Sequence, residues 1–96
     1  MRLMSTAPVA EPARPQSRPL PPFAVVLHND DVNEMGFVVR TIVELARVTT
    51  EHALTCMIEA HQEGQAVVMR THREHAELVC ESFQSKGLTA TIERAS

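Results

Sequence analysis

The sequence predicts an α+β fold in the order β-α-α-β-α-β: a three-stranded antiparallel sheet packed against three helices on one face. Three observations lead there. Apolar residues form short runs at Phe23–Leu27, Gln65–Arg70 and Leu88–Glu93, the length and pattern of strands. Between those runs they recur at three- and four-residue steps, the period of an amphipathic helix. Finally, all six prolines fall in the first 22 residues, so no proline interrupts an element from Phe23 onward.

Phe23–Leu27 (Phe-Ala-Val-Val-Leu) reads as a buried strand, branched and aromatic-rich, that stops abruptly at His28-Asn29-Asp30-Asp31. The first helix follows. Met35, Val38, Val39, Ile42, Leu45 and Ala46 supply its stripe, Asp31 or Asn33 can cap it, and it should run to about Arg47. Val48-Thr49-Thr50 breaks the pattern. Thr49 or Thr50 is a natural N-cap for the second helix, with Glu51 favoured in its first turn. Leu54, Met57, Ile58 and His61 then share a face, and Gly64 ends the helix as a left-handed cap. After the strand Gln65–Arg70, Thr71-His72-Arg73-Glu74 has the spacing of a capping box opening a third helix. Ala76, Val79, Cys80 and Phe83 are its apolar stripe, Lys86-Gly87 its stop, and Leu88–Glu93 the last strand.

The proline shift divides the chain into a proline-rich N-terminal extension, 1–22, expected to be disordered or extended rather than packed, and a folded domain, 23–96. The segment carries Arg2, Arg14 and Arg18 against Glu11, a charge of +2; the domain carries −5, and together they give the chain's −3. A domain this small buries only about 60% of its unfolded surface, which suits a surface groove better than an internal catalytic cavity. Its acidity argues against nucleic acid, and with no Tyr or Trp it lacks a base-stacking platform. No apolar run approaches a membrane span, and Met-Arg-Leu-Met lacks the apolar core of a signal peptide. Cys56 and Cys80 show no zinc or redox spacing, so a reducing compartment, the cytoplasm, is expected.

Asn29, Asp30 and Asp31 put three hydrogen-bond acceptors in a row at a strand-to-helix corner. They can cap the next helix, hold a metal, or recognise a small cation. His61 lies on an otherwise apolar face, four residues after Met57; it is either a satisfied core residue or a ligand, while Met35 and Met57 read first as core fillers. No HExxH, no CxxC, no nucleophile elbow and no glycine loop is present, so nothing points to catalysis, a metal or a cofactor.

Leu27-His28-Asn29-Asp30-Asp31, Met35-Gly36-Phe37-Val38, Met57-Ile58-Glu59-Ala60-His61-Gln62-Glu63-Gly64, Ala76-Glu77 and Leu88-Thr89-Ala90-Thr91-Ile92-Glu93 together resemble the ClpS family, over Phe23–Glu93. The resemblance implies an adaptor of the bacterial N-degron pathway. Such an adaptor binds proteins whose first residue is Leu, Phe, Tyr or Trp and delivers them to a Clp-family AAA+ unfoldase with its peptidase; a monomer is expected. By motif position Asn29, Asp30, Asp31 and His61 match the group around the substrate's α-amino group. Asn33, Met35, Val38, Met57, Ala60 and Leu88 match the side-chain pocket, and Glu74, Glu77 and Val79 fall on the stretch tied to unfoldase contact. The physics of the residues agrees: a free α-amine, of pKa about 7.7–8.0, is mostly cationic near pH 7 and suits convergent acceptors. Methionines make a deformable apolar wall.

Three departures stand out. The family usually has Tyr-Thr-Pro where this chain has Val32-Asn33-Glu34, a larger branched residue where Ala60 stands, and Ala-Glu-Thr-Lys where Ala76-Glu77-Leu78-Val79 stands. The alternative of another class is a ribosomal-stalk-like interaction domain, which shares the βααβαβ layout and does not need the Asn-Asp-Asp/His61 constellation. An enzyme using Asp31 and His61 as an acid–base pair would lack a nucleophile.

Overall fold

Phe23–His28 forms β1, the middle strand of a three-stranded antiparallel sheet in which β2 (Gln65–Thr71) and β3 (Ala90–Arg94) are the edges. A computed structural model describes residues 22–95; the expected proline-rich extension lies outside them except for Pro22, whose carbonyl accepts a 2.9 Å hydrogen bond from the Ala95 N–H. As the central strand, β1 is flanked on both edges by β2 and β3, and even its residues on the face away from the helices are buried, so it carries no polar alternation. Val25 and Leu27 point into the core, while Ala24 and Val26 lie on the opposite face; all four are buried. Ala24 sits between Arg70 and Glu93, and Val26 between Val67 and Thr91, with a register shift against β2 between Val25 and Val26.

The helices α1 (Met35–Ala46), α2 (Thr50–Glu63) and α3 (Arg73–Ser85) close one face of the sheet. Their core-facing residues meet Val25, Leu27, Ala66, Val68 and Ala90 in one continuous cluster, with Phe83 at 0% exposure its largest fully buried side chain. The α3 stripe is as expected: Ala76, Val79, Cys80 and Phe83 are all buried. So is its stop. Gly87 lies at φ +87°, its N–H bonds the Gln84 carbonyl, and the Leu88 N–H returns to the Phe83 carbonyl. This paired closure seals a helix end with a left-handed glycine, and it buries Leu88 beside Phe83. Thr49 caps α2 by accepting from the His52 N–H at 3.0 Å, and Gly64 ends it at φ +95°, both as the sequence indicates.

Four local expectations are corrected. Helix α1 starts after Glu34, which makes no side-chain cap bond; neither Asp31 nor Asn33 caps it. The capping box does not form, because Thr71 is the last residue of β2; His72 is the N-cap of α3 and accepts from the His75 N–H. The last strand begins at Ala90, since Leu88 and Thr89 complete the turn after α3. On α2 the buried seam is Ala53, Cys56 and Ala60, not Leu54, Met57, Ile58 and His61. Small side chains let the helix approach the sheet closely, and Leu54 and Ile58 are left 45% and 43% exposed.

Candidate functional site

The strand-to-helix corner is fixed from both sides of β1. The His28 N–H bonds the Thr89 carbonyl and the Asn29 N–H bonds the Gly64 carbonyl, each at 2.9 Å. The first bond ties the strand's end to the approach to β3. The second ties it to the cap of α2, so the last turn of α2, carrying His61, is held beside Asn29. The negative end of that helix's dipole then lies near the corner, a favourable setting for a cation.

Beyond Asn29 the chain turns on Asp30. One carboxylate oxygen accepts from the N–H groups of Val32 (2.8 Å) and Asn33 (2.9 Å), and the other from Asn33 Nδ2 (2.6 Å). Aspartate commonly closes a turn this way, on the backbone two and three residues ahead. Burial alone would push the Asp30 carboxyl up. The bonds from the Asn33 side chain, the Asn33 N–H and the Val32 N–H outweigh it and hold the group below the ordinary carboxylate value.

Leu27, His28, Asn29, Asp30, Asn33, Met35, Val38, Met57, Ala60 and His61 line a shallow depression that opens to solvent. One side is polar, from Asn29, Asp30 and His61. The other is apolar: Val38 and Ala60 are buried at its base, Met57 is half-buried, and Met35, 56% exposed, stands at the rim. Of the residues matched to the pocket or to the amine group, all but Asp31 and Leu88 therefore converge here. Asp31 is exposed and makes only a long contact, 3.4 Å, with Asn29 Nδ2; Leu88 is 3% exposed within the core behind the turn. Leu27 and His28 line the site without having been foreseen. Alternation along β1 sends the His28 ring to the outer face, where Nε2 shares a 2.8 Å hydrogen bond with Thr91 Oγ1.

On α3, Glu74 is exposed and Glu77 half-exposed, with Arg73 paired to Glu77 at 3.1 Å. Val79 is a correction: at 2% exposure it belongs to the core stripe and offers no contact surface, whereas its neighbour Leu78 is 60% exposed. Cys56 lies 3.5 Å from His52 Nε2, but this is no activated pair. The ring donates to the Val68 carbonyl at 2.7 Å and so has no lone pair for the thiol on that nitrogen. Burial, with the Glu59 carboxylate, pushes the Cys56 thiol up, away from the thiolate. Cys80 is likewise raised, by burial and by Glu81. Among the described residues no group of His, Cys, Asp and Glu is arranged to hold a metal ion. Nor is any described helix long and apolar enough to cross a membrane.

The molecule is thus a small α+β domain whose strand-to-helix corner carries a depression lined by both polar and apolar side chains. Residues 18–91 match the family described as ATP-dependent Clp protease adaptor protein ClpS. The chain belongs to the ClpS family of Clp protease adaptors. Among its relatives, the ATP-dependent Clp protease adapter protein ClpS of Synechococcus elongatus is 35% identical over 92 residues, 94% of this chain and 97% of that protein. The chloroplastic adapter protein CLPS1 of Chlamydomonas reinhardtii is 40% identical over 87 residues, which span 90% of this chain but only 53% of that protein. Among solved structures, that of Agrobacterium tumefaciens ClpS2 bound to L-phenylalaninamide is similar, with a TM-score of 0.71, 28% identity, and coverage of 78% of this chain and 98% of that one.

Proposed function

We propose that the pocket binds the free α-amino group and the bulky apolar first residue (Leu, Phe, Tyr or Trp) of a protein chain, and that the bound protein is passed to a Clp-family AAA+ unfoldase and its peptidase. The observation that carries this reading is the pocket's two-sidedness. Asn29, Asp30 and His61 offer acceptors for an ammonium, while Met35, Val38, Met57 and Ala60 offer an apolar wall. Internal peptide units have no ammonium, so such a site reads a chain's beginning. L-Phenylalaninamide, the ligand in the similar ClpS2 structure, has both features, a free α-amine and a Phe side chain. The role is binding, with no bond made or broken, and the setting is the cytoplasm. Glu74 and Glu77 on α3, beside the exposed Leu78, are the surface for the unfoldase.

A ribosomal-stalk-like interaction domain has no use for acceptors converging on such a pocket. The test is a titration of short peptides that differ only in their first residue. Phe, Tyr, Leu and Trp should bind, and Gly, Ser and Asp should not. Affinity independent of the first residue would overturn the reading in favour of a general interaction domain.

A further inference from the structure

Asn33 links two parts of the molecule that the sequence keeps far apart. Its Nδ2 lies 2.6 Å from Asp30 Oδ2 and 3.1 Å from the carbonyl of Gly87, 54 residues on. A carboxamide nitrogen has two hydrogens. Both partners are pure acceptors, a carboxylate and a carbonyl, so the NH2 end of Asn33 must face them and both hydrogens are committed. The first bond completes the set that fixes the Asp30 carboxylate. The second seizes the left-handed residue at which α3 turns back toward β3. That turn is itself rigid, because the Leu88 N–H closes on Phe83 and both side chains are buried. Threonine, usual at this position in the family, has one hydroxyl hydrogen and could serve one acceptor but not both.

We propose that Asn33 is a positioning residue that locks the Asp30 carboxylate and the α3–β3 turn into one unit, so that filling the pocket also steadies the turn. The inference rests on the amine-binding reading given above, and it names a contact between the pocket and the far end of α3. Coupling of this kind is reciprocal: whatever steadies the turn also favours the filled pocket. Of the titratable groups, His28 and His61 line the same depression as Asp30, Asp31 follows it in the chain, and Lys86 precedes Gly87 in the turn. Each is followed by its own resonance, so a change at Asp30 is not mistaken for theirs.

The experiment compares wild type with Asn33→Leu and Asn33→Thr by NMR. In the free protein, Asn33→Leu should raise the titration midpoint of the Asp30 carboxyl, because it removes a donor to the charged form. Asn33→Thr should stay closer to wild type, its single hydrogen going to the carboxylate as the stronger acceptor. A Phe-first peptide should slow amide exchange at Gly87 and Leu88 in wild type. Both variants should lose that slowing while retaining it at Asn29, and Asn33→Leu should bind the peptide about tenfold more weakly. An unchanged Asp30 midpoint in Asn33→Leu, or slowing at Gly87 and Leu88 that persists in the variants, overturns the proposal. If Asn33→Leu fails to fold, Asn33→Thr alone decides whether the turn is coupled. If wild type binds no peptide, the amine-binding reading fails instead, and the Asp30 midpoint still tests the lock.

Discussion

Acetylating the N-terminus of a Phe-first peptide should nearly abolish its binding, and the size of the loss can be worked out by counting acceptors. A carboxylate has about four lone-pair sites. Bonds from Val32, Asn33 and the Asn33 side chain occupy three of those on Asp30, leaving one. Asn29 turns its Nδ2 toward Asp31, which leaves its carbonyl oxygen free to accept. His61, exposed at the end of α2, supplies a ring nitrogen. In the proposed complex these three acceptors would meet the three hydrogens of an ammonium. An acetylated terminus brings one N–H, no charge, and added bulk. Losing two hydrogen bonds to a charged group, at about 1.5–3 kcal/mol each, sets the upper range. Breaking one side of a buried charged pair costs about 2–5 kcal/mol, and exposure at the rim places the loss toward the lower part of that range. The range as a whole is a loss of roughly 30-fold to several thousand-fold. Fluorescence anisotropy with matched free and acetylated peptides at pH 7 measures it directly. The free peptide's affinity should also fall as pH rises past about 8, where the amine loses its proton. Equal affinity for the two peptides would refute the acceptor count and the amine-binding site with it.

Met35, at the rim, should exclude β-branched first residues. Met35→Ala should admit Ile and Val, closing a discrimination of about 10- to 200-fold, and Ala60→Met, which fills the base, should penalise Trp most; a Leu-to-Ile affinity ratio unmoved by Met35→Ala means that Met35 is not the gate. Because the Asp30 carboxyl is depressed in the folded state, its contribution to stability is present above the ordinary carboxylate pKa and is lost as pH falls through the folded value. The difference in Tm between wild type and Asp30→Asn should therefore be steady near neutral pH and shrink below about pH 4; a pH-independent difference would show that the charge is not what stabilises the turn. Deleting residues 1–21, which keeps the Pro22–Ala95 bond, should leave peptide affinity unchanged and stop degradation of a bound substrate in a reconstituted Clp reaction, and normal degradation would show that the segment has no part in delivery.

Element order and type were legible because β1 and β2 stand out as short apolar runs and, in α3, the apolar period and the glycine stop pointed the same way. Helix α2 was harder to read from periodicity. Its large apolar residues Leu54 and Ile58 suggest one inward face, yet the sheet is met by Ala53, Cys56 and Ala60. Ranking side chains by hydrophobicity misses this, because close approach of a helix to a sheet rewards small volume over large transfer free energy. The capping box at Thr71 failed for a similar reason. Pairing of Thr71 with Phe23 extends β2 by one residue and passes the cap to His72. Local spacing alone does not register that competition from the sheet.

The site shows where residue patterns lose resolution. Three acidic and amide residues in a row pose turn-capping and cation recognition as rivals, yet under the proposed reading Asp30 would serve both. Asp30 spends most of its hydrogen-bonding capacity on its own loop, and that is what aims the remainder. Asp31, identical in chemistry and adjacent in sequence, faces solvent because the turn that Asp30 closes carries it outward. Nothing in the spacing distinguishes the two; only the direction of the chain after Asn29 does, and that direction is set by Gly64 and Thr89, distant in sequence. The same holds for Leu88 and Val79, which sit at motif positions but are claimed by the core. In a domain this small, few positions can serve the pocket without also serving the fold. A pocket residue should then be sought among those that the fold's own bonds hold in place: the Asn29 N–H is tied to the Gly64 carbonyl and Asp30 to Asn33, whereas Asp31 makes only the long contact with Asn29.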